Sequence, residues 1–186
     1  MRKQAEEDFA ATSNFFSISG TAESTNLPTG SIDLITAGQA FHWFDRKKAA
    51  AEFKRILKPD GYAALIWNYR DVEADDLQRM YENILEKHIP DYKQLDHKTM
   101  TDEIIRSFFN SDVKKFMLPN FQLFDLESLL GRVLSSSYVP KPPDPIAEKV
   151  LSQVEELFNT CKHNSRIQFI YKTVVYLGQF KQAWPK

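Results

Sequence analysis

The period of the apolar positions changes several times along the 186 residues, and each change marks an element. Residues 2–10 have the composition of a helix, rich in Glu, Gln, Lys, Arg and Ala. FFSIS (15–19) reads as a short strand, and GTAESTNLPTG (20–30) as a loop punctuated by Gly20, Pro28 and Gly30. IDLITA (32–37) is apolar on both faces once Asp33 is passed, the pattern of a central parallel strand. Asp45 stands at a helix N-cap, RKKAAAEFKRIL (46–57) has helix propensity throughout, and Pro59, Asp60 and Gly61 stop it in a turn. YAALIW (62–67) is a third strand. Strand, loop, strand, helix and strand at this spacing predict an α/β fold with right-handed crossovers.

The second half is richer in helices. Leu77, Tyr81, Ile84, Leu85 and His88 recur at spacings of three and four, which predicts an amphipathic helix over 73–88. DEIIRSFFN (102–110) is a shorter helix. VKKFMLPNFQLF (113–124) is extended, and Pro119 assigns it to an edge or a bulge. Asp125 caps a helix that runs to Leu134. YVPKPPDP (138–145) is a stiff connection into a helix capped by Asp144, with Pro145 in its first position and Ile146, Val150, Val154, Leu157 and Phe158 on one face. RIQFIYKTVVYL (166–177) alternates, placing Ile167, Phe169, Tyr171, Thr173 and Val175 on one side of a last, antiparallel strand.

Composition narrows the classes. The length suits one domain with a core of its own. The 24 basic and 25 acidic residues are interspersed for a net charge of −1, which argues against a nucleic-acid partner or an anionic membrane surface. Cys161 stands alone, so no intrachain disulfide forms, and His42, His88, His97 and His163 are too scattered to suggest a metal. No apolar stretch approaches the ~20 residues of a membrane span. MRKQAEEDFA lacks the apolar centre of a signal peptide and reads as helix from its first residue, so a cytoplasmic protein is expected.

In an open α/β sheet, ligands bind beyond the carboxyl ends of the parallel strands. GTAES, AGQAFHW and WNYR end there. Ala37, Gly38 and Ala40 are small enough for a flat ligand to approach the backbone. His42 reads either as a half-buried ring anchoring a helix start or as a titratable group at a site. Trp43 and Phe44 suit a lid on helix 46–57, and Glu23 suits loop surface or a ligand contact. Arg46, Lys47 and Lys48 form a solvated helix face. Tyr138, beside Ser135–Ser137, reads as core or turn packing or as the wall of a substrate cavity. No Ser–His–Asp spacing and no G-x-S-x-G elbow is present.

GTAESTNLPTGSIDLITAGQAFHWFD, followed by RILKPDG and YAALIWN, resembles the class I S-adenosylmethionine-dependent methyltransferases of the type 11 branch. RILKPDG is similar to that family's R-x-L-K-P-G-G turn, with Asp60 in place of its first glycine. LESLLGRVLSSSYVP and YKTVVYLG resemble the C-terminal half of the same branch. The resemblance implies a Rossmann-like sheet with antiparallel C-terminal strands, and one domain over 1–186. Residues 1–70 would be a partial cofactor-binding half, and 71–186 the substrate-side helices and last strands. It implies S-adenosylmethionine as cofactor and a small-molecule acceptor whose O, N or C attacks the sulfonium methyl. Thr21, Ala22 and Glu23 would follow the adenine, although the family often has an acidic residue at the position of Thr21. Ala37, Gly38 and Phe41 would line the cofactor, and Gln39, His42 and Trp43 would face its junction with the acceptor. His42 would be the candidate base, and Tyr138 would be substrate-proximal.

The same resemblance marks a gap. The family opens with a strand and a glycine-rich E/D-x-G-x-G-x-G loop, then a second strand ending in an acidic residue. Here the glycines stand at 20, 30, 38, 61, 131 and 178, no two within four positions. Met1 aligns inside the helix after the family's second strand, which implies an N-terminally truncated sheet lacking its first two strands. In the family's order those strands lie between 15–19 and 32–37. The first segment is therefore expected to lack a neighbour and the second to expose an apolar edge open to self-association. Cofactor binding is expected to be poor or absent. The runner-up is a non-catalytic module that pairs through that edge.

Overall fold

The computed structural model describes residues 2–90, 92–94 and 100–180; Met1 and His97 lie outside them. The opening helix forms as α1 (Arg2–Asp8) and buries none of its residues. FFSIS does not form the expected strand: residues 15–19 join no ladder, and Phe16 and Ile18 are exposed. A strand owes its backbone bonds to a neighbour, and among the described residues this segment has none.

β1 (Ile32–Gly38) leads through a single turn of 3-10 helix (Phe41–Trp43) into α2 (Arg46–Ile56) and then β2 (Leu57–Arg70). Asp45 caps α2 by accepting from the Lys48 N–H at 3.2 Å. β1 and β2 pair in parallel. The turn expected at Pro59–Gly61 is instead an irregularity inside a long strand. Ile32 pairs with Leu57 and Leu34 pairs with Tyr62, so residues 58–61 bulge out between these two pairs. Gly61 is required there, since a Cβ would lie 2.9 Å from the Leu57 side chain and 3.0 Å from the Ile32 carbonyl oxygen.

Beyond β2 come α3 (Asp76–His88), α4 (Asp102–Phe109), β3 (Val113–Phe124), α5 (Leu126–Leu134), α6 (Pro145–Cys161) and β4 (Ile167–Gly178). The expected caps are in place: Asp125 accepts from the Ser128 N–H at 2.9 Å and Asp144 from the Ile146 N–H at 2.8 Å. The sheet order is β1-β2-β4-β3, with β4 antiparallel to both neighbours. β3 is the expected edge strand, and Pro119 sits within it opposite Lys172.

Two cores lie on opposite faces of this sheet. α2 and α4 cover the face of Ala37, Ala63, Leu65, Trp67, Val174 and Tyr176. α3, α5 and α6 cover the other face at its far end, over Phe124, Ile167, Phe169 and Tyr171. The first-strand end of that second face is bare: Leu34, Tyr62, Phe116 and Leu118 are all exposed. This corrects one expectation. β1 is not buried from two sides but is an edge strand among the described residues, with Leu34 53 % exposed.

Candidate active site

The carboxyl ends of β1 and β2 are adjacent, and the chain leaves β1 through a constrained turn. Gln39 adopts a left-handed backbone with φ of 52°, which a non-glycine residue holds only at a cost, and such residues cluster at functional turns. Its N–H donates to the Ile66 carbonyl at 2.9 Å, and its side-chain Nε2 donates to the Asn68 carbonyl at 3.1 Å. The amide is thus tied to the end of β2 rather than left loose. At Gly38 an added Cβ would meet nothing within 4 Å, so no protein atom demands glycine there and the strand end is open.

The next residues separate. Phe41, expected along the cofactor, is fully buried. Its ring packs edge-on at 4.7 Å to Phe108 and 6.0 Å to Trp67, so it wedges the turn into the aromatic core and is not available to a ligand. Phe44 packs on Phe53 at 6.2 Å, as expected of a lid on α2. Trp43 does not share that role. It is 67 % exposed, projecting beside the half-buried His42 ring at 5.0 Å. An indole left in solvent at a strand end is a ready apolar surface for a bound molecule.

The loop carrying Thr21, Ala22 and Glu23 is held to the same place by two clamps. Thr21 and Ser24 exchange backbone bonds at 3.0 and 3.1 Å, and a Cβ on Gly20 would lie 2.9 Å from the Ser24 carbonyl oxygen. Glu23 accepts from the Asp45 N–H at 2.9 Å, and chiefly this bond holds its carboxyl below the ordinary range. Glu52 makes the second clamp. Its Oε1 accepts from the Thr25 N–H at 2.8 Å and the Thr25 hydroxyl at 2.6 Å, while Arg55 joins it at 2.7 Å and donates to the Leu27 carbonyl at 2.8 Å. These bonds, the one from Arg55 foremost, hold the Glu52 pKa at about 2. The sequence reading missed this clamp; the i,i+3 spacing of Glu52 and Arg55 was its one local sign.

Tyr138 lies elsewhere. Its ring packs at 5.2 Å on Tyr92, in the core under α3, α5 and α6. A second group that sequence reasoning missed sits at the strand ends, where Asn68, Thr173 and Asn120 are hydrogen-bonded across β2, β4 and β3. Asn68 and Thr173 are 105 positions apart, and no local pattern reports such a pair.

S-adenosylmethionine fits this arrangement in part. The open strand end at Gly38, the Gln39 turn and the clamped loop offer backbone and one carboxylate along one side of a ligand. The sequence supplies no glycine cradle for the cofactor's amino-acid end, and the described residues build no substitute. The fit is incomplete.

A family model described as a methyltransferase domain, of the type 11 branch, matches residues 1–65. Among curated relatives, an uncharacterized methyltransferase of Schizosaccharomyces pombe is 28 % identical over 163 residues, covering 86 % of this chain and 64 % of that one. A protein of Dictyostelium discoideum named as a methyltransferase is 35 % identical over 107 residues, 53 % of this chain and 40 % of that one. The chain thus spans less than two thirds of the length of these relatives. Two solved structures share the fold. One, from Anaeromyxobacter dehalogenans and described as a type II methyltransferase, has a TM-score of 0.55 at 19 % identity, over 86 % of this chain and 69 % of that one. The YcgJ protein of Bacillus subtilis has a TM-score of 0.51 at 20 % identity, over 97 % and 78 %. The expected Rossmann-like sheet with antiparallel C-terminal strands is borne out.

Proposed function

From the kinship of this chain with the class I S-adenosylmethionine-dependent methyltransferases of the type 11 branch, we propose that it forms the acceptor-facing part of a methyl-transfer site for a small molecule, and that alone it holds the cofactor weakly. The observation that carries this reading is the turn after β1. Its left-handed Gln39 is tied to the end of β2, Gly38 is open beside it, and the Trp43 indole is exposed. Such a turn orients two molecules more than it performs chemistry, so proximity is its contribution. His42, within the turn, is the residue proposed to take a proton when the acceptor needs a base. Thr21, Ala22, Glu23, Ala37 and Gly38 are proposed as the cofactor side, Gln39 and Trp43 as the acceptor side. No helix among the described residues is long and apolar enough to cross a membrane. A cytoplasmic location is part of this proposal.

The test is titration of the 186-residue chain with S-adenosylhomocysteine, followed by heat and by backbone amide shifts. Shifts confined to residues 21–24 and 37–43, with a dissociation constant in the millimolar range, are expected. Micromolar binding would overturn the claim of weak binding. No shift in either segment at any concentration would remove the site.

A second reading is favoured by one observation, the exposed Leu34 at a sheet edge unpaired among the described residues. In it, the chain associates with a second copy through β1 and is not itself catalytic. Size-exclusion chromatography over a range of concentrations decides, since a monomer at every concentration ends this reading.

A further inference from the structure

Resting on the methyl-transfer reading, one feature of the strand ends specifies what the acceptor must present. The hydrogen bonds linking Asn120, Thr173 and Asn68 have a direction, and a backbone group sets it. The Phe121 N–H can only donate, and it donates to Asn120 Oδ1 at 2.7 Å. This orients the Asn120 amide, whose Nδ2 then donates to Thr173 Oγ1 at 3.0 Å. Accepting there, the Thr173 hydroxyl sends its own proton to Asn68 Oδ1 at 2.6 Å. With its oxygen taken, Asn68 turns its NH2 the other way, and among the described residues that NH2 has no partner. The backbone carbonyl of Asn68 accepts from Gln39 at 3.1 Å, so this solvent-exposed donor sits beside the turn proposed to face the acceptor.

The charged residues that flank the three along β2 and β4 are paired, and Lys114 lies on this face of β3 beyond Phe116. Arg70, next on this face, is paired with Glu82 and stacked over the Tyr81 ring at 4.4 Å. Lys172 points to the opposite face and is held by Asp71 at 2.7 Å. Ile66, Val175, Leu118 and Phe116 extend from the three residues over the bare face of the sheet. A carboxylate at Asn68 would have no unpaired cation within two residues along the three strands, and an ammonium would meet a donor.

We propose that Asn68, held by Thr173 and Asn120, is the recognition point for the methyl acceptor, and that the acceptor presents to it a neutral carbonyl or ether oxygen carried on an apolar body. Asn68 is the contacting residue; Thr173 and Asn120 position it.

The test uses the 15N-labelled chain and three probes with one common body: acetophenone, benzoate and benzylammonium. Acetophenone should shift the Asn68 side-chain NH2 signals saturably, and the two ions should bind at least ~10-fold more weakly, the scale of one lost hydrogen bond. Asn68→Asp keeps the shape and removes the donor, and should weaken acetophenone by a similar factor. Thr173→Val frees the Asn68 amide to flip and should weaken it by less. Should Asn68→Asp fail to fold, Thr173→Val and the wild-type titration still decide. Unmoved Asn68 signals, tighter binding of benzoate, or unchanged affinity in a folded Asn68→Asp chain would overturn the assignment. The S-adenosylhomocysteine titration separates the two readings. Acetophenone binding without any cofactor response would refute the methyl-transfer site and leave the contact standing, and the reverse would refute the contact alone.

Discussion

The two cores of this protein reach burial by different means. Under β1 and β2 the core is aromatic: Phe41, Phe53, Trp67, Phe108, Phe109 and Phe180 meet mostly edge-to-face, at centroid separations of 4.7 to 6.4 Å. At the far end of the sheet three helices bring aliphatic side chains on their inward stripes, Leu85, Leu129, Val133, Val150 and Val154, against rings of the sheet such as Phe124, Phe169 and Tyr171. The helical core is covered by α3, α5 and α6 over the far end of the sheet. Over the aromatic core the sheet is covered on one face only, and its other face shows Leu34 and Tyr62 to solvent. Burial in the first case is set by helix periodicity; in the second it depends on a few large rings that fix a turn.

If rings fix the turn, removing one should do the most damage. Phe41→Ala is expected to cost about 3–5 kcal/mol in urea unfolding, since a fully buried ring is replaced by a cavity. The aromatic core should also resist added volume. A Cβ on Gly178 would lie 2.7 Å from Phe109, so Gly178→Ala should cost about 1–3 kcal/mol, and the same melts would show it. The clamp that seats the loop on α2 is electrostatic and should show in acid. The Glu52 pKa is about 2 in the folded chain against an ordinary 4.5. Its contribution is therefore complete above 4.5 and is lost as pH falls through about 2. Thermal melts between these limits should fall more steeply for the parent chain than for Glu52→Gln; parallel curves would remove the clamp from the account. The bare face gives the smallest effect. Leu34→Ser should change stability by no more than about 0.5 kcal/mol, and a larger loss would mean that the monomer covers this residue.

Most helices and the last strand follow directly from period and caps, because their burial is decided within one face of one element. Asp45, Asp125 and Asp144 cap where their spacing says they should. FFSIS and the two-sided burial of β1 did not follow, since both depend on neighbours that a single segment does not encode. The same limit divides the site. Gly38 and Gln39 are readable as a small, polar strand end, whereas the burial of Phe41 and the exposure of Trp43 are settled by how the 3-10 turn rotates. The contact between Asn68 and Thr173 exists only once β4 lies beside β2.

That placement has a consequence for biosynthesis. β4 is the last described element in chain order, yet it lies between β2 and β3. Until residues 167–178 leave the ribosome, β3 has no ladder to join and β2 has only β1. The nascent chain must hold the FMLPNFQLF segment (116–124 within it) unpaired while α5 and α6 are being made, and the sheet then zips from its middle outward. Non-local closure of this kind is slow and leaves apolar strands exposed meanwhile.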